Sequence, residues 1–214
     1  MTLLSKAIEN NIHLCDAVLS SFGTTLELHA CAALFHGPRR PFYPSVVTRD
    51  VHLDAETIAH IAALPTGSGV KDSFGTLDLS DMGFKPVMSA QWIAGAAPQA
   101  TAVLHRITAG SLDAWRNGWS DTPKGKDNFT SDFLAHPEIK MLANTDFSAG
   151  VVLNTSDTGI TGISNLFGSE HTVLTGLANL APNETLVGYE TDPAPFFAHG
   201  FEPLGPLTVW IKTS

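Results

Sequence analysis

The sequence predicts an α/β protein that is built from two related halves. Segments with helical spacing of apolar residues alternate with short apolar runs typical of strands, and parts of the second half repeat parts of the first. With 214 residues, the chain is long enough for one large domain or for two small domains in contact. Its 43% content of hydrophobic residues is sufficient for a buried core and excludes a disordered chain.

The internal repeat rests on pairs of identical residues with a common spacing. Three pairs lie 117 positions apart: Pro65 and Pro182, Val70 and Val187, and Gly83 and Gly200. Trp92 and Trp210 lie 118 apart, as a one-residue loop insertion would produce. We therefore expect an internal duplication, with a degenerate unit at residues 1–95 and a better preserved unit at residues 96–214. The alternative is that two strand pairs are similar by coincidence.

Local patterns predict the elements of the first half in order. A helix is expected over residues 3–19, an apolar segment over 26–35 and a strand within 42–48. Asp54 is a suitable N-cap for a second helix that ends at Pro65. The apolar residues with helical spacing in this helix are Ile58, Ile61 and Leu64. Gly83 suits the end of a short helix, where a positive φ favours glycine.

The second half offers more elements. A strand over 101–107, a helix over 111–119 with Ser111 as N-cap and a helix near 130–134 come first. Strands at 150–154 and 160–167 follow, joined by a tight turn that contains Asp157 and Gly159. A helix from Ser169 to Pro182 should then present an apolar face formed by Val173, Leu174, Leu177 and Leu180. Strands are expected at 186–189 and 209–211, with Gly200 between them.

Composition excludes several classes of function. Twelve basic and 21 acidic residues give a net charge of −9, which is unfavourable for binding nucleic acid. No apolar stretch approaches the roughly 20 residues of a membrane-spanning helix, and no secretion signal is recognisable, so we expect a cytoplasmic protein with Cys15 and Cys31 reduced. The nine histidines show no metal-binding spacing, so no metal site is expected.

The order of elements in the second half, with Gly200-Phe201 before the terminal strands, resembles the GNAT (GCN5-related N-acetyltransferase) superfamily. Residues 149–154, 160–168 and 196–211 carry the resemblance, and residues 1–95 look like a degenerate second copy. The resemblance implies a mixed central sheet flanked by helices. It also implies acetyl-CoA as the acyl donor and an amine on a small molecule or peptide as the acceptor. In this superfamily, the strand that would correspond to 160–167 carries a bulge and separates from its neighbour to admit the pantetheine arm.

Carried onto this sequence, the resemblance assigns roles to three groups of residues. Contacts to acetyl-CoA are expected from Ser164, Asn165, Leu166, Phe167, Gly168 and Ser169. Glu190, as the base, and its neighbour Tyr189 are the candidate catalytic residues, and Trp115 and Trp119 are candidate walls of an acceptor cavity. The simpler alternatives are polar residues at a sheet edge for Ser164 and Asn165, a solvated carboxylate for Glu190, and the buried stripe of an amphipathic helix for the tryptophans.

The sequence also departs from the superfamily pattern. Only Gly168 remains of the usual diphosphate-binding loop, and Glu170 adds a negative charge beside it. Phe196 stands where a tyrosine often protonates the leaving thiolate, and Tyr189 stands where an asparagine is common. Two hypotheses therefore stand: an acetyl-CoA-dependent N-acyltransferase, and a catalytically inactive binding or scaffold protein with the same fold. The sequence leaves open whether the chain is a monomer or a homodimer.

Overall fold

The computed structural model describes residues 1–155, 159–181 and 184–214, which form a single mixed sheet with helices on both faces. The helices are α1 (Leu3–Ser20), α2 (Ala55–Ala63), α3 (Leu112–Trp119), α4 (Pro123–Lys126), α5 (Ser131–Ala135), α6 (Glu170–Leu177) and α7 (Ala194–Phe197). The strands are β1 (Thr25–Leu28), β2 (Ala32–His36), β3 (Val46–Thr48), β4 (Gly69–Asp72), β5 (Phe84–Gly95), β6 (His105–Arg106), β7 (Ile139–Ala143), β8 (Gly150–Thr155), β9 (Thr161–Phe167), β10 (Leu186–Glu190) and β11 (Glu202–Lys212).

The strands of the described residues lie in the order β1-β2-β3-β4-β11-β5-β10-β9-β8-β7-β6. All neighbours are antiparallel except two parallel pairs, β3 with β4 and β9 with β10. Helices α2 and α6 provide the crossover connections of these parallel pairs, as a parallel connection requires. The arrangement confirms the expected α/β class with a mixed central sheet.

The centre of the sheet joins the two halves of the chain. Strand β5 lies between β11 and β10, and β11 lies between β4 and β5. The long strand β5 of the first half therefore pairs with β10 of the second half, and the long strand β11 of the second half pairs with β4 of the first. The two long strands also pair with each other. Residues 1–95 and 96–214 consequently share one continuous sheet. The duplication itself remains a prediction from the residue spacing.

The two faces of the sheet bury different helices. Helix α1 crosses the middle of one face, where Ile8 and Ile12 pack with Trp92 and Val187. Helices α3 and α5 pack on the same side of the second half, around Trp115. Helices α2 and α6 cover the opposite face through two separate clusters, the first centred on Ile61. Both helical layers are required because alternate residues of the buried strands point to opposite faces.

Capping residues fix most helix starts. Side chains of Thr2, Asp54, Thr130 and Ser169 each accept a hydrogen bond from the backbone N–H three residues later. Ser111 precedes α3 but makes no such bond, because its hydroxyl accepts from the N–H of Thr108 instead. The predicted side-chain cap at Ser111 was therefore wrong, although the helix forms.

Other differences from the sequence expectations are local. The strand expected at 101–107 is reduced to His105–Arg106. The sequence patterns assigned no residues to β7 or to α4, although both form. Ile58 and Leu180 were expected on buried helix faces but are 40% and 39% exposed. The turn residue Asp157 and the helix-ending Pro182 lie outside the described residues. Gly83 and Gly200 have φ of 80° and 83°, as expected for residues that end short helical turns.

Candidate active site

The parallel strands β9 and β10 separate shortly after they begin. Their backbones pair at Leu186 with Thr161 and at Val187 with Gly162, and the ladder goes no further. A cavity of about 710 Å³ opens where the pairing stops, between this gap, helix α1 and the loop at residues 39–45. A parallel pair that opens in this way leaves backbone groups available to a ligand, because their usual partner strand is missing.

Strand β9 also carries a bulge next to the gap. Val152 of β8 is opposite Ser164, whereas Gly150 is opposite Phe167, so the β9 side of the ladder contains one extra residue. Asn165 lies within this segment and has a φ of 49°, which is uncommon for a residue other than glycine. A bulge leaves the extra residue unpaired and bends the strand. The bulge and the separation of β9 from β10 were both expected for this strand.

The cavity brings together six of the ten residues singled out in the sequence. Those that line it are Ser164, Asn165, Leu166, Tyr189, Glu190 and Trp119. The other four, Trp115, Phe167, Gly168 and Ser169, do not line it.

Trp115 and Trp119 have different environments although both belong to α3. Trp115 is fully buried, and its indole N–H donates to the Leu142 carbonyl at 2.9 Å. It therefore belongs to the core, and the expectation that it walls an acceptor cavity was wrong. Trp119 lies at the cavity wall, where Phe42 packs edge-on against its ring at a centroid distance of 5.8 Å.

Phe167 points away from the cavity. Its ring packs edge-on against Trp115 at a centroid distance of 5.3 Å and occupies the space above Gly118 and Gly150. Phe167 is thus a packing residue, so its expected contact with a cofactor is not supported by its position. Gly168, with a φ of 76°, and Ser169 are exposed at the start of α6, where first-turn N–H groups lack helical partners.

Glu190 lies at the end of β10, is only partly exposed and lines the cavity. Burial, together with the charge of Glu170, raises the pKa of Glu190 from an ordinary 4.5 to about 7. A carboxylate with such a pKa exchanges protons readily near neutral pH, which is the property required of a general base.

Lys71, which sequence analysis did not single out, is the second charged group in the cavity. Its ammonium donates to the Asn11 side-chain oxygen at 2.7 Å and to the Tyr189 hydroxyl at 3.1 Å. Burial lowers the pKa of Lys71, but the interactions with Tyr189 and Cys15 raise it by more, so the net direction is upward. Burial also raises the pKa of the Cys15 thiol. The sequence feature that could have indicated Lys71 as a site residue is its place between Val70 and Asp72, in a short run that forms a buried strand.

The loop at residues 39–45 closes the cavity on the side facing Trp119. Asn128, which is fully buried, donates to the Pro41 carbonyl at 3.0 Å and accepts from Arg40 at 3.2 Å. Phe42 has a φ of 71°, which shows that the loop is held in an unusual conformation. The buried hydroxyl of Tyr43 makes no hydrogen bond of ordinary geometry within the described residues.

The corresponding strand pair of the first half is closed. Strands β3 and β4 pair at Val46 and Val47, and contact continues past the ladder. There Ser73 donates its N–H to the Thr48 hydroxyl at 2.8 Å and its own hydroxyl to the Thr48 carbonyl at 2.7 Å. Asp72, the last residue of β4, is 1% exposed and accepts two backbone hydrogen bonds within the following turn. Its environment is therefore that of a structural residue.

Three further findings complete the description of the structure. Phe196 is 1% exposed and packs edge-on against Phe201, so its position is a core position. Within residues 1–155, 159–181 and 184–214, no group of three or more His, Cys, Asp or Glu side chains is arranged to hold a metal ion. In the same residues, no helix is both long enough and apolar enough to cross a bilayer.

No protein-family model matches the sequence, and no curated protein matches it significantly. Solved structures do match the fold. A GCN5-related N-acetyltransferase from Kribbella flavida has a TM-score of 0.64 at 13% identity, with 100% of this chain and 97% of that chain covered. A conserved protein of unknown function from Staphylococcus epidermidis has a TM-score of 0.65 at 9% identity, covering 90% and 96%.

A third structure, a putative GNAT-family acetyltransferase from Novosphingobium aromaticivorans, has a TM-score of 0.55 at 9% identity and covers 91% and 93%. The similarity extends over nearly the whole of each chain, so it includes the first half as well as the second. The chain therefore has the fold of GCN5-related N-acetyltransferases, as the sequence patterns predicted.

Proposed function

We propose that this chain, which has the GNAT fold, is an N-acyltransferase that moves an acetyl group from acetyl-CoA to an amine. The observation that carries the proposal is the gap between β9 and β10, with its bulge at Asn165 and the cavity behind it. A thioester needs a narrow site in which a backbone N–H can polarise its carbonyl. The gap, in which the ladder between β9 and β10 has ended, would supply such a site.

The donor would lie along β9. Ser164, Asn165 and Leu166 line the cavity at the bulge and would contact the pantetheine arm and the thioester carbonyl. The diphosphate would lie at the exposed start of α6, where the N–H groups of Gly168 and Ser169 are close to the helix N-terminus. The negative charge of Glu170 would weaken the binding of the diphosphate at this end of α6. Most of the binding free energy of acetyl-CoA would therefore come from contacts in the gap.

Glu190 would take the proton of the attacking amine. The lone pair of the amine nitrogen forms the new C–N bond, the C–S bond breaks, and the ammonium proton passes to the Glu190 carboxylate directly or through water. Its pKa of about 7 suits this transfer near neutral pH, since a stronger acid would not hold the proton.

Tyr189 is the proposed source of the proton that the leaving thiolate requires. The position at which a tyrosine often has this role is occupied by the core residue Phe196. The Tyr189 hydroxyl lies at the cavity and accepts a hydrogen bond from the Lys71 ammonium, which would stabilise the phenolate left after proton donation. Trp119 would form part of the wall around the acceptor.

Melting of the protein with and without acetyl-CoA or CoA tests the proposal. At about 100 times the dissociation constant, a ligand specific for the folded state adds about 2.7 kcal/mol of stability, which is a rise of several degrees in Tm. No rise at millimolar CoA would contradict the proposal and favour the scaffold hypothesis. Glu190→Gln should keep the CoA-dependent rise and lose acetyl transfer, whereas Glu202→Gln, at an exposed position of β11, should keep both.

A further inference from the structure

Lys71 is a buried lysine that pairs with no carboxylate of the described residues. Its side chain emerges from β4, its residue is 3% exposed, and its ammonium meets two neutral acceptors, Asn11 and Tyr189. Among the ion pairs of the described residues, none involves Lys71. Burial of a charge is costly unless an opposite charge compensates for it. A lysine kept in this state at the wall of a cavity is suited to an anion that arrives with a ligand.

The other charges of the cavity support an anionic ligand. Besides Lys71, the lining contains Arg39 and Arg40, and its one carboxylate among the described residues is Glu190. The lining therefore has an excess of positive charge in a chain whose net charge is −9. Such local concentration of one sign in a concave site favours ligands of the opposite sign.

The positions of Lys71 and Glu190 suggest how a ligand would be oriented. Tyr189, which contacts Lys71, and Glu190 are consecutive on β10, so their side chains leave opposite faces of the strand. Both border the gap between β9 and β10. A molecule with an acidic group near Lys71 could therefore extend through the gap and present another group to Glu190.

Building on the proposed function, we infer that the acceptor is an amino-acid-like small molecule whose carboxylate binds the Lys71 ammonium while its amine faces Glu190. The acceptor carboxylate would take the place of one of the two neutral hydrogen-bond acceptors of the Lys71 ammonium. It would form a charge-assisted hydrogen bond there. Lys71 would then select for acidic acceptors, in addition to its contact with the Tyr189 hydroxyl.

Matched acceptor pairs test the inference. Acetyl transfer is measured with amino acids and with the amines that remain when their carboxylates are removed, such as 4-aminobutyrate with propylamine and phenylalanine with phenethylamine. We expect kcat/KM to be about 10- to 100-fold higher for the carboxylated member of at least one pair, the range for a charged hydrogen bond. Lys71→Met should remove this preference, and Lys85→Met, at an exposed position of β5, should preserve it. Equal kcat/KM for both members of every pair in the unaltered protein would overturn the inference, even if Lys71→Met does not fold.

Binding measurements separate this inference from the proposed function. Tm is recorded with CoA alone and with each member of the acceptor pairs alone. If CoA raises Tm but carboxylated and uncharged-tail amines bind equally, the inference fails and the acyltransferase proposal stands. If carboxylated members alone bind, and only when Lys71 is present, the carboxylate-binding role of Lys71 stands, and an absent effect of CoA would contradict only the acyltransferase proposal. If Lys71→Met removes the CoA-dependent rise instead, Lys71 binds the donor and the inference is wrong.

Discussion

Replacement of Glu190 by glutamine should stabilise the protein while abolishing acetyl transfer. In the folded chain the pKa of Glu190 is about 7, against an ordinary 4.5, because the carboxylate is partly buried and lies near Glu170. The folded state therefore holds this proton more tightly than the unfolded state does. Stability from this group is complete below pH 4.5 and is lost as the pH rises through 7.

The size of the effect follows from the two pKa values. Above pH 7, ionisation of Glu190 costs at most about 3.4 kcal/mol, because the pKa values differ by about 2.5 and each pKa unit corresponds to about 1.4 kcal/mol. Solvent screening of the partly exposed carboxylate reduces this cost to about 2 to 3 kcal/mol. Glutamine is of similar shape and carries no charge at any pH. Glu190→Gln should therefore raise the free energy of unfolding by about 2 to 3 kcal/mol at pH 8 and by only about 1 kcal/mol at pH 5.

Urea denaturation at pH 5 and pH 8 measures both values. Glu202→Gln, which changes an exposed carboxylate, should alter stability by less than about 0.5 kcal/mol at either pH. A gain for Glu190→Gln that is the same at both pH values would refute the assignment of a raised pKa. A variant that is stabilised at pH 8 but retains full acetyl transfer would leave the electrostatic argument intact and remove Glu190 from the proposed mechanism.

Three further changes probe the scaffold around the site. Trp115→Ala should lower the free energy of unfolding by about 3 to 5 kcal/mol in urea titrations, because it empties a fully buried position and leaves the Leu142 carbonyl without its donor; a loss below 1 kcal/mol would contradict the core assignment. Thr48→Val should cost about 1 to 3 kcal/mol through the lost partner of the Ser73 N–H, and the CoA-dependent rise in Tm should persist. Gly162→Ala should destabilise by more than about 2 kcal/mol, since a methyl group would overlap the side-chain oxygens of Asn10 and Asn154; wild-type stability would show that α1 can move away from β8.

Local patterns in the sequence were sufficient for most elements of the fold. Asp54 caps α2, and Gly83 ends the short helical turn before β5, because N-caps and positive φ angles are decided by the residue itself. A short apolar run rich in β-branched and aromatic residues also identified β10, and the residues of a tight turn placed β9 after β8. The expected position of the bulge followed from the family resemblance, and the structure has it at Asn165.

The partners of the long strands could not be predicted in the same way. Nothing in the local pattern of β5 distinguishes β10 from β4 as a neighbour, because both are short, buried and related by the spacing of 117. Long-range pairing depends on which loops can close and on the whole core. Lys71 likewise belongs to the first half, which was predicted to be degenerate, and contacts Tyr189 of the second half, a long-range contact that no local pattern indicates.

Residue type alone could not separate buried from cavity-lining aromatic residues either. Trp115 and Trp119 are one helical turn apart, and the sequence supports a core position or a cavity wall for both. Their different positions depend on where Phe129, Phe167 and Phe42 lie around them. Such distinctions are set by tertiary packing, which overrides the helical pattern.

The pairing of β4 with β11 has a consequence for biosynthesis. On the ribosome, Val70 and Lys71 emerge long before Val209 and Trp210, which later become their hydrogen-bonding neighbours. Until then, one edge of β4 has no neighbouring strand to satisfy its N–H and C=O groups, and such open edges are prone to pairing with other chains. Productive folding is therefore expected to wait for β11 and to be slow, since contacts between residues distant in sequence form late. Nascent chains that stall before this strand would be natural clients for chaperones.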